Sequence, residues 1–115
     1  MSGYSVEFFR DKRNRCPSQE YLGAMPEEHR AKALKMMQLL QEKGPMLPRP
    51  YADGLRDKIR ELRVSHGTFE HRFLYFFDDK KIIVTHGFLK KTNKVDNSEI
   101  NLAIRYMNEW KTAKG

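Results

Sequence analysis

Three apolar runs lie between Lys58 and Lys94, and the rest of the chain is organised around them. The runs are Lys58 to Val64, Phe69 to Phe77 and Lys81 to Phe88. Each is rich in β-branched or aromatic residues and is bounded by a polar turn, as is typical of strands. Because both turns are short, the pattern predicts an antiparallel meander of three strands.

The segments on either side of the meander predict one more strand and three helices. Tyr4 to Phe9 alternates as a short strand, which we expect to join the meander at an edge. Apolar residues at helical spacing predict a short helix from Ser18 to Met25 and a longer one from Pro26 to Lys43. A final helix is predicted from Asn97 to Ala113.

The proline-rich segment from Gly44 to Gly54 predicts a connection without regular strand pairing, because proline lacks the N–H that a ladder needs. Together these elements predict an α+β fold. A small antiparallel sheet of about four strands would carry two N-terminal helices and a C-terminal helix, all on one face. With 115 residues, the chain is expected to form a single domain over 1–115.

The composition favours an anionic partner. Lys and Arg number 22 against 15 Asp and Glu, which gives a net charge of +7. A small domain of this charge is typical of nucleic-acid binding, although a soluble basic surface is the simpler alternative. The single cysteine, Cys16, excludes an internal disulfide, and no apolar run reaches membrane-spanning length. We therefore expect a cytoplasmic protein with no membrane partner.

Established enzyme signatures are absent from the sequence. There is no phosphate-binding glycine loop, no His-Glu-x-x-His pattern and no cysteine pair for zinc. Neither a metal nor another cofactor is therefore expected, and the cations of the predicted sheet are the remaining candidates for chemistry.

Two arginines stand in the predicted strands. Arg72 lies in a run that is otherwise mostly apolar, where a guanidinium is costly unless it faces an open groove or pairs with a carboxylate. Glu61 is the leading candidate for that carboxylate. Two interpretations stay open: Arg72 and Glu61 brace the sheet, or Arg63 and Arg72 form a clamp for phosphate, which arginine matches with two hydrogen bonds.

Further candidates follow the third strand. Lys90 and Lys91 come directly after it, and Lys94 extends the positive charge. Phe88 could stack on a base or belong to the core. His71 and His86 could act as acid–base groups or serve only the structure.

These residues resemble the RelE/HigB-type toxins of type II toxin–antitoxin modules, in their phage-derived subgroup. The matching residues are Gly54-Leu55, Glu61-Leu62-Arg63, Arg72 to Phe76, His86 to Thr92, Ser98 to Ile100, Ala103 and Arg105. The order of strand, two helices, meander and closing helix agrees over nearly the whole chain. Where the subgroup usually has an aromatic or aliphatic residue before Glu61, this chain has Arg60.

The resemblance implies a RelE-like fold and a metal-independent endoribonuclease that cleaves mRNA, generally on the ribosome. The implied chemistry is attack of a ribose 2′-hydroxyl on the adjacent phosphate. Arg63 and Arg72 would stabilise the phosphate charge, and Lys90 and Lys91 would bind the backbone or act as acid or base. The implied partner is a HigA-like helix-turn-helix antitoxin, which would bring the complex to promoter DNA.

Four further residues are predicted to bind RNA around this centre: Arg60, His86, Phe88 and Lys94. Two other classes of function stay open. The protein could be a non-catalytic relative that binds RNA or an antitoxin, or it could inhibit a host enzyme through its basic face.

Overall fold

A computed structural model describes residues 3–114, which form an α+β fold of five strands and three α-helices. The strands are β1 (Ser5–Phe8), β2 (Ala52–Gly54), β3 (Arg60–His66), β4 (Phe69–Asp78) and β5 (Lys81–Leu89). The helices are α1 (Pro17–Ala24), α2 (Glu27–Lys43) and α3 (Asn97–Lys114). The predicted α+β class is confirmed, and each predicted element is present with its ends within two residues of the predicted ones.

The sheet has the order β1-β5-β4-β3-β2, and it differs from the prediction in two respects. It has five strands instead of about four, because β2 pairs with β3 just after the last proline of the connection. It is mixed instead of antiparallel, because β1 runs parallel to β5, with Ser5 opposite Lys81. The direction of pairing between strands so far apart in the chain cannot be read from the local sequence pattern of either strand.

Helices cover both faces of the sheet, so the prediction of one covered face was wrong. On the face that we call the helical-pair face, Leu22 of α1 and Leu40 of α2 pack against Leu62 and Val84. On the opposite face, the α3 face, Ala103 and Met107 of α3 pack against Leu74, Phe76 and Ile83. The central strands carry apolar residues on both faces of the sheet, and burial of both sets requires helices on both sides.

A bulge in β5 decides which residues reach the α3 face. Tyr75 pairs with Val84 and Leu74 pairs with His86, so Thr85 is an extra residue in the ladder. The Thr85 hydroxyl donates a hydrogen bond to the Leu74 carbonyl at 3.1 Å. A bulge reverses the alternation beyond it. His86 and Phe88 therefore lie on the α3 face, opposite Leu74 and Arg72.

No helix within residues 3–114 is long and apolar enough to span a bilayer.

Candidate functional site

Arg63 and Arg72 lie directly opposite each other on β3 and β4, and both point to the α3 face. The Arg72 side chain is 5% exposed. Its Nε donates to Glu61 Oε1 at 2.9 Å and its Nη1 to Glu70 Oε1 at 3.2 Å. A hydrogen bond from Ser65, and then that from Arg72, lower the pKa of Glu70. The contact of Arg72 with Glu61, one of the two interpretations that the sequence left open, is present in the structure.

Arg63 is placed differently, because 30% of its side chain is exposed. Its Nη2 lies 3.4 Å from Glu61 Oε2 and 3.6 Å from Asp53 Oδ2. Glu61 therefore bridges the two arginines, one oxygen to each. The Glu61 carboxylate thereby holds both guanidinium groups in place. Arg63 keeps donors that can reach a ligand.

An open cavity of about 580 Å³ lies beside Arg63, between the end of β2, the segment after β5 and the start of α3. Four cations line it, Arg56, Arg63, Lys90 and Lys94, together with the carboxylates of Asp53 and Glu61. Lys90 is held there because its backbone N–H donates to the Glu70 carbonyl at 2.8 Å. The excess of positive charge and the size suit a nucleotide phosphate.

A smaller cavity of about 170 Å³ adjoins the first and contains the remaining predicted lysine. Lys91 lines it with Phe88, and Lys90 and Lys94 contribute to both cavities. The structure therefore brings Arg63 and three predicted lysines to one side of the molecule, with Arg72 beneath them and Phe88 beside them.

His86 lies under α3 and does not line either cavity. It is buried, with Nδ1 3.0 Å from Thr85 Oγ1 and Nε2 3.0 Å from Glu99 Oε1. Burial lowers the pKa of His86, and Glu99 partly opposes that effect. These contacts tie β5 to α3, and a stacked contact with Phe88 (ring centroids 5.6 Å apart) fixes that side chain.

Arg60 lies apart from the other predicted residues. It faces the helical-pair side of β3, opposite Tyr75, with which it forms a hydrogen bond. It lines another cavity, with Lys58 and Phe77, that shares Gly54, Leu55 and Arg56 with the large one. Residues of a strand alternate between faces, so Arg60 and Arg63 point to opposite sides. Arg60 itself does not line the large cavity with Arg63, Lys90 and Lys94.

His71 also belongs to the helical-pair face. Its Nδ1 lies 2.6 Å from the Tyr21 hydroxyl oxygen, and its Nε2 lies 2.9 Å from His29 Nδ1. Burial, and then the nearby His29, lower the pKa of His71. It is held within a buried polar cluster away from Arg63.

Sequence reasoning missed Asp53, Arg56 and Asn97, all of which line the cavity. Asp53 was assigned to an unpaired connection, whereas it lies in β2 beside Arg63. Arg56 donates through Nη2 to Asn97 Oδ1 at 3.2 Å and to Asn101 Oδ1 at 2.5 Å. The position of Arg56 within the basic stretch before β3 was the only available signal. Among residues 3–114, no group of three His, Cys, Asp or Glu side chains is arranged to hold a metal ion.

Comparison with known proteins supplies the family. No curated protein matches the chain. Among solved structures, a chain from the crystal structure of the archaeal RelE–RelB complex from Pyrococcus horikoshii OT3 is similar. It has 18% sequence identity and a TM-score of 0.49, and the alignment covers 81% of this chain and 99% of that one. The family model described as "Phage derived protein Gp49-like" matches residues 20–108, which is most of the chain. The resemblance stated from the sequence is thereby confirmed: the protein belongs to the phage-derived Gp49-like family, a family of RelE-like toxins.

Proposed function

We propose that the protein is the toxin of a type II toxin–antitoxin module and a metal-independent endoribonuclease that cleaves mRNA on the ribosome. The observation that carries the proposal is the open cavity in which Arg63, Lys90 and Lys94 converge. Membership of a RelE-like toxin family supports the toxin role. Positively charged side chains around one cavity suit the negative charge that develops on a phosphate during cleavage.

In the proposed reaction the ribose 2′-oxygen attacks the adjacent phosphorus and loses its proton. The bond from phosphorus to the 5′-oxygen of the next nucleotide breaks, and that oxygen takes up a proton. The products are a 2′,3′-cyclic phosphate and a 5′-hydroxyl end. Arg63 would stabilise the extra negative charge on the phosphate oxygens, because its partly exposed side chain lines the cavity.

The other predicted catalytic residues receive different roles. Arg72 would hold Glu61, and through it Arg63, while adding positive charge from beneath. Lys90, which lines the cavity with Arg63, would bind the phosphate or donate the proton to the 5′-oxygen. Lys91 and Lys94 would bind the RNA backbone, and Phe88 would stack on a base beside them.

The test compares induction of the wild type with Arg63→Ala and Lys90→Ala, followed by mapping of mRNA ends. Each variant is expected to lower cleavage by roughly 10²- to 10³-fold, the range seen when one transition-state donor is removed. Lys35→Ala is the matched control, because it removes one positive charge from an exposed position of α2. Growth arrest and mRNA ends identical to the wild type in both site variants would refute the assignment.

One observation favours a second candidate, a non-catalytic RNA-binding or antitoxin-binding module. Both arginines of the predicted clamp already contact carboxylates, which partly neutralise them. A module of this kind would bind RNA with the same dependence on Arg63 and Lys94 while producing no new mRNA ends. End mapping therefore separates the two candidates.

The proposed partner is a HigA-like helix-turn-helix antitoxin that covers the cavity lined by Arg63, Lys90 and Lys94. The protein would bind promoter DNA only as part of that complex. The charge of +7 supports an acidic covering segment. Coexpression with the product of an adjacent helix-turn-helix gene is expected to restore growth and yield a stable complex. Unrelieved arrest would count against the partner.

A further inference from the structure

The large cavity has a second half that the phosphate chemistry does not use. Three apolar side chains line it, Leu55, Val95 and Ile100. Ile100 is buried and Leu55 packs on the core of the α3 face. This region is continuous with the wall formed by Arg63 and Lys90, since all of them line the same cavity. A nucleotide likewise joins an anionic phosphate to a ring with apolar faces.

A hydrogen-bonding edge borders the apolar lining. Arg56 donates to the side-chain oxygens of Asn97 and Asn101, and its other terminal nitrogen contacts Asp57 at 2.8 Å. A guanidinium has only donors, so each amide must turn its oxygen towards Arg56. The amide nitrogen of Asn97 is thereby left to donate, and Asn97 lines the cavity.

We propose that Leu55, Val95, Ile100, Arg56 and Asn97 form a base-recognition site that selects guanine next to the phosphate bound by Arg63 and Lys90. The apolar side chains contact the faces of the ring. Arg56 and Asn97 donate to the guanine O6 and N7, the acceptor pair that two converging donors match. Asn97 acts only as a donor here, because its oxygen already accepts from Arg56. The proposal rests on the proposed function in that it places RNA in this cavity.

The preference for guanine over the other bases follows from the N–H donors of Arg56 and Asn97. Adenine offers an amino donor where guanine has O6, so a donor on the protein would face a donor on the base. Uracil and cytosine are smaller and have no N7. The two amides and Arg56 hold each other in place before any RNA arrives, so little ordering is needed on binding.

The test measures binding and not cleavage. Four pentanucleotides, UUXUU with X as each base, carry 2′-O-methyl groups that prevent attack by the 2′-oxygen. Their affinities are measured by fluorescence anisotropy at low salt. The wild type is expected to bind the guanine oligonucleotide about tenfold more tightly than the uracil one, within the range of one bidentate base contact.

Asn97→Asp is the decisive variant. It keeps the oxygen that accepts from Arg56 and replaces the amide donor with an acceptor. Asp at the first residue of a helix also favours folding. The preference for guanine is expected to fall to within about twofold. Arg63→Ala should weaken the binding of all four oligonucleotides by a similar factor and leave the guanine-to-uracil affinity ratio unchanged. Lys35→Ala should change neither the affinities nor that ratio.

The site is rejected if no oligonucleotide binds, if the wild type prefers another base, or if Asn97→Asp keeps the preference. The outcome is separable from that of the proposed function. Guanine preference without new mRNA ends in induced cells would support the site and reject the endonuclease. If mRNA is cleaved and Asn97→Asp leaves the sequences at the new ends unchanged, the endonuclease is supported and the guanine site is rejected.

Discussion

The two faces of the sheet accommodate buried polar groups in different ways. On the helical-pair face, Tyr21, His29 and His71 form a hydrogen-bonded cluster of groups that can be uncharged. Burial raises the pKa of Tyr21 to about 12 and lowers that of His71, so both are kept neutral. On the α3 face, Glu61 and Arg72 are equally buried and form an ion pair at 2.9 Å.

The difference follows from the side chains themselves. A histidine or tyrosine can avoid the cost of burial by staying neutral, whereas arginine cannot lose its proton within a protein. Arg72 must therefore have carboxylates at hydrogen-bonding distance, and Glu61 supplies one oxygen to it and the other to Arg63. On the helical-pair face, the polar cluster of Tyr21, His29 and His71 lines a cavity of about 210 Å³. The α3 face carries buried charge beside the large basic cavity.

Removing one partner of the buried pair should produce the largest effect. Arg72→Ala leaves Glu61 buried with only Arg63 beside it, and the expected loss is about 3–5 kcal/mol in the free energy of unfolding. The measurement is urea denaturation. The double variant Glu61→Leu with Arg72→Met removes both charges and should recover most of the loss. A loss below about 1 kcal/mol in the single variant would show that the pair is unimportant for stability.

Packing on the helical-pair face should be the next most sensitive feature. A Cβ added at Gly87 would lie 2.6 Å from Phe73 Cε1 and 2.8 Å from Tyr21 Cδ2. Gly87→Ala is therefore expected to cost about 1–3 kcal/mol by overpacking. The control is Gly23→Ala in α1, where nothing lies within 4 Å, and which should stabilise the helix by about 0.5–1 kcal/mol. Similar effects for both glycines would contradict this account.

Acidification should distinguish the neutral cluster from the charged one. Because the pKa of His71 is lowered in the folded protein, the unfolded chain binds its proton at higher pH. Stability is then complete above the ordinary histidine pKa of about 6.5 and falls as the pH drops below it, by at most about 1.4 kcal/mol per pH unit for each such group.

His86 adds an effect of the same sign from the α3 face, since burial lowers its pKa as well. Urea midpoints of the wild type and His71→Gln, measured from pH 8 to pH 5, separate the two contributions. The variant should lose part of the slope and retain the part that His86 causes. An unchanged slope would mean that His71 does not titrate on unfolding.

An exposed ion pair should give the smallest effect. Arg15 and Glu20 approach to 3.4 Å, with side chains 64% and 53% exposed. Solvent screens such pairs, so Arg15→Ala should cost about 0.2–1 kcal/mol. The same urea assay applies, and a loss as large as that of Arg72→Ala would remove the distinction between buried and exposed charge.

Local pattern was sufficient to predict most of the elements. The β-branched and aromatic runs located β3, β4 and β5, and helical spacing located all three helices. Strand β2 was missed because three residues after a proline-rich segment have no periodicity. The bulge at Thr85 was also invisible, and with it the reason that His86 and Phe88 face α3.

The candidate site was predicted less completely, because it depends on contacts between distant segments. The pairing of Arg72 with Glu61 was one of two alternatives that followed from the cost of burying a guanidinium, a rule that depends only on residue type. The contact of Arg56 with Asn97 spans 41 positions and leaves no comparable trace. Arg60 was grouped with Arg63 by proximity in sequence, although strand alternation separates them.

The parallel pairing of β1 with β5 has a consequence for how the fold forms. Ser5 to Phe8 pairs with Lys81 to Val84, which follows both N-terminal helices and most of the sheet in the chain. Non-local pairing of this kind forms slowly, since the intervening chain must be ordered first. Closure of the sheet at β1 is therefore expected to be a late step of folding.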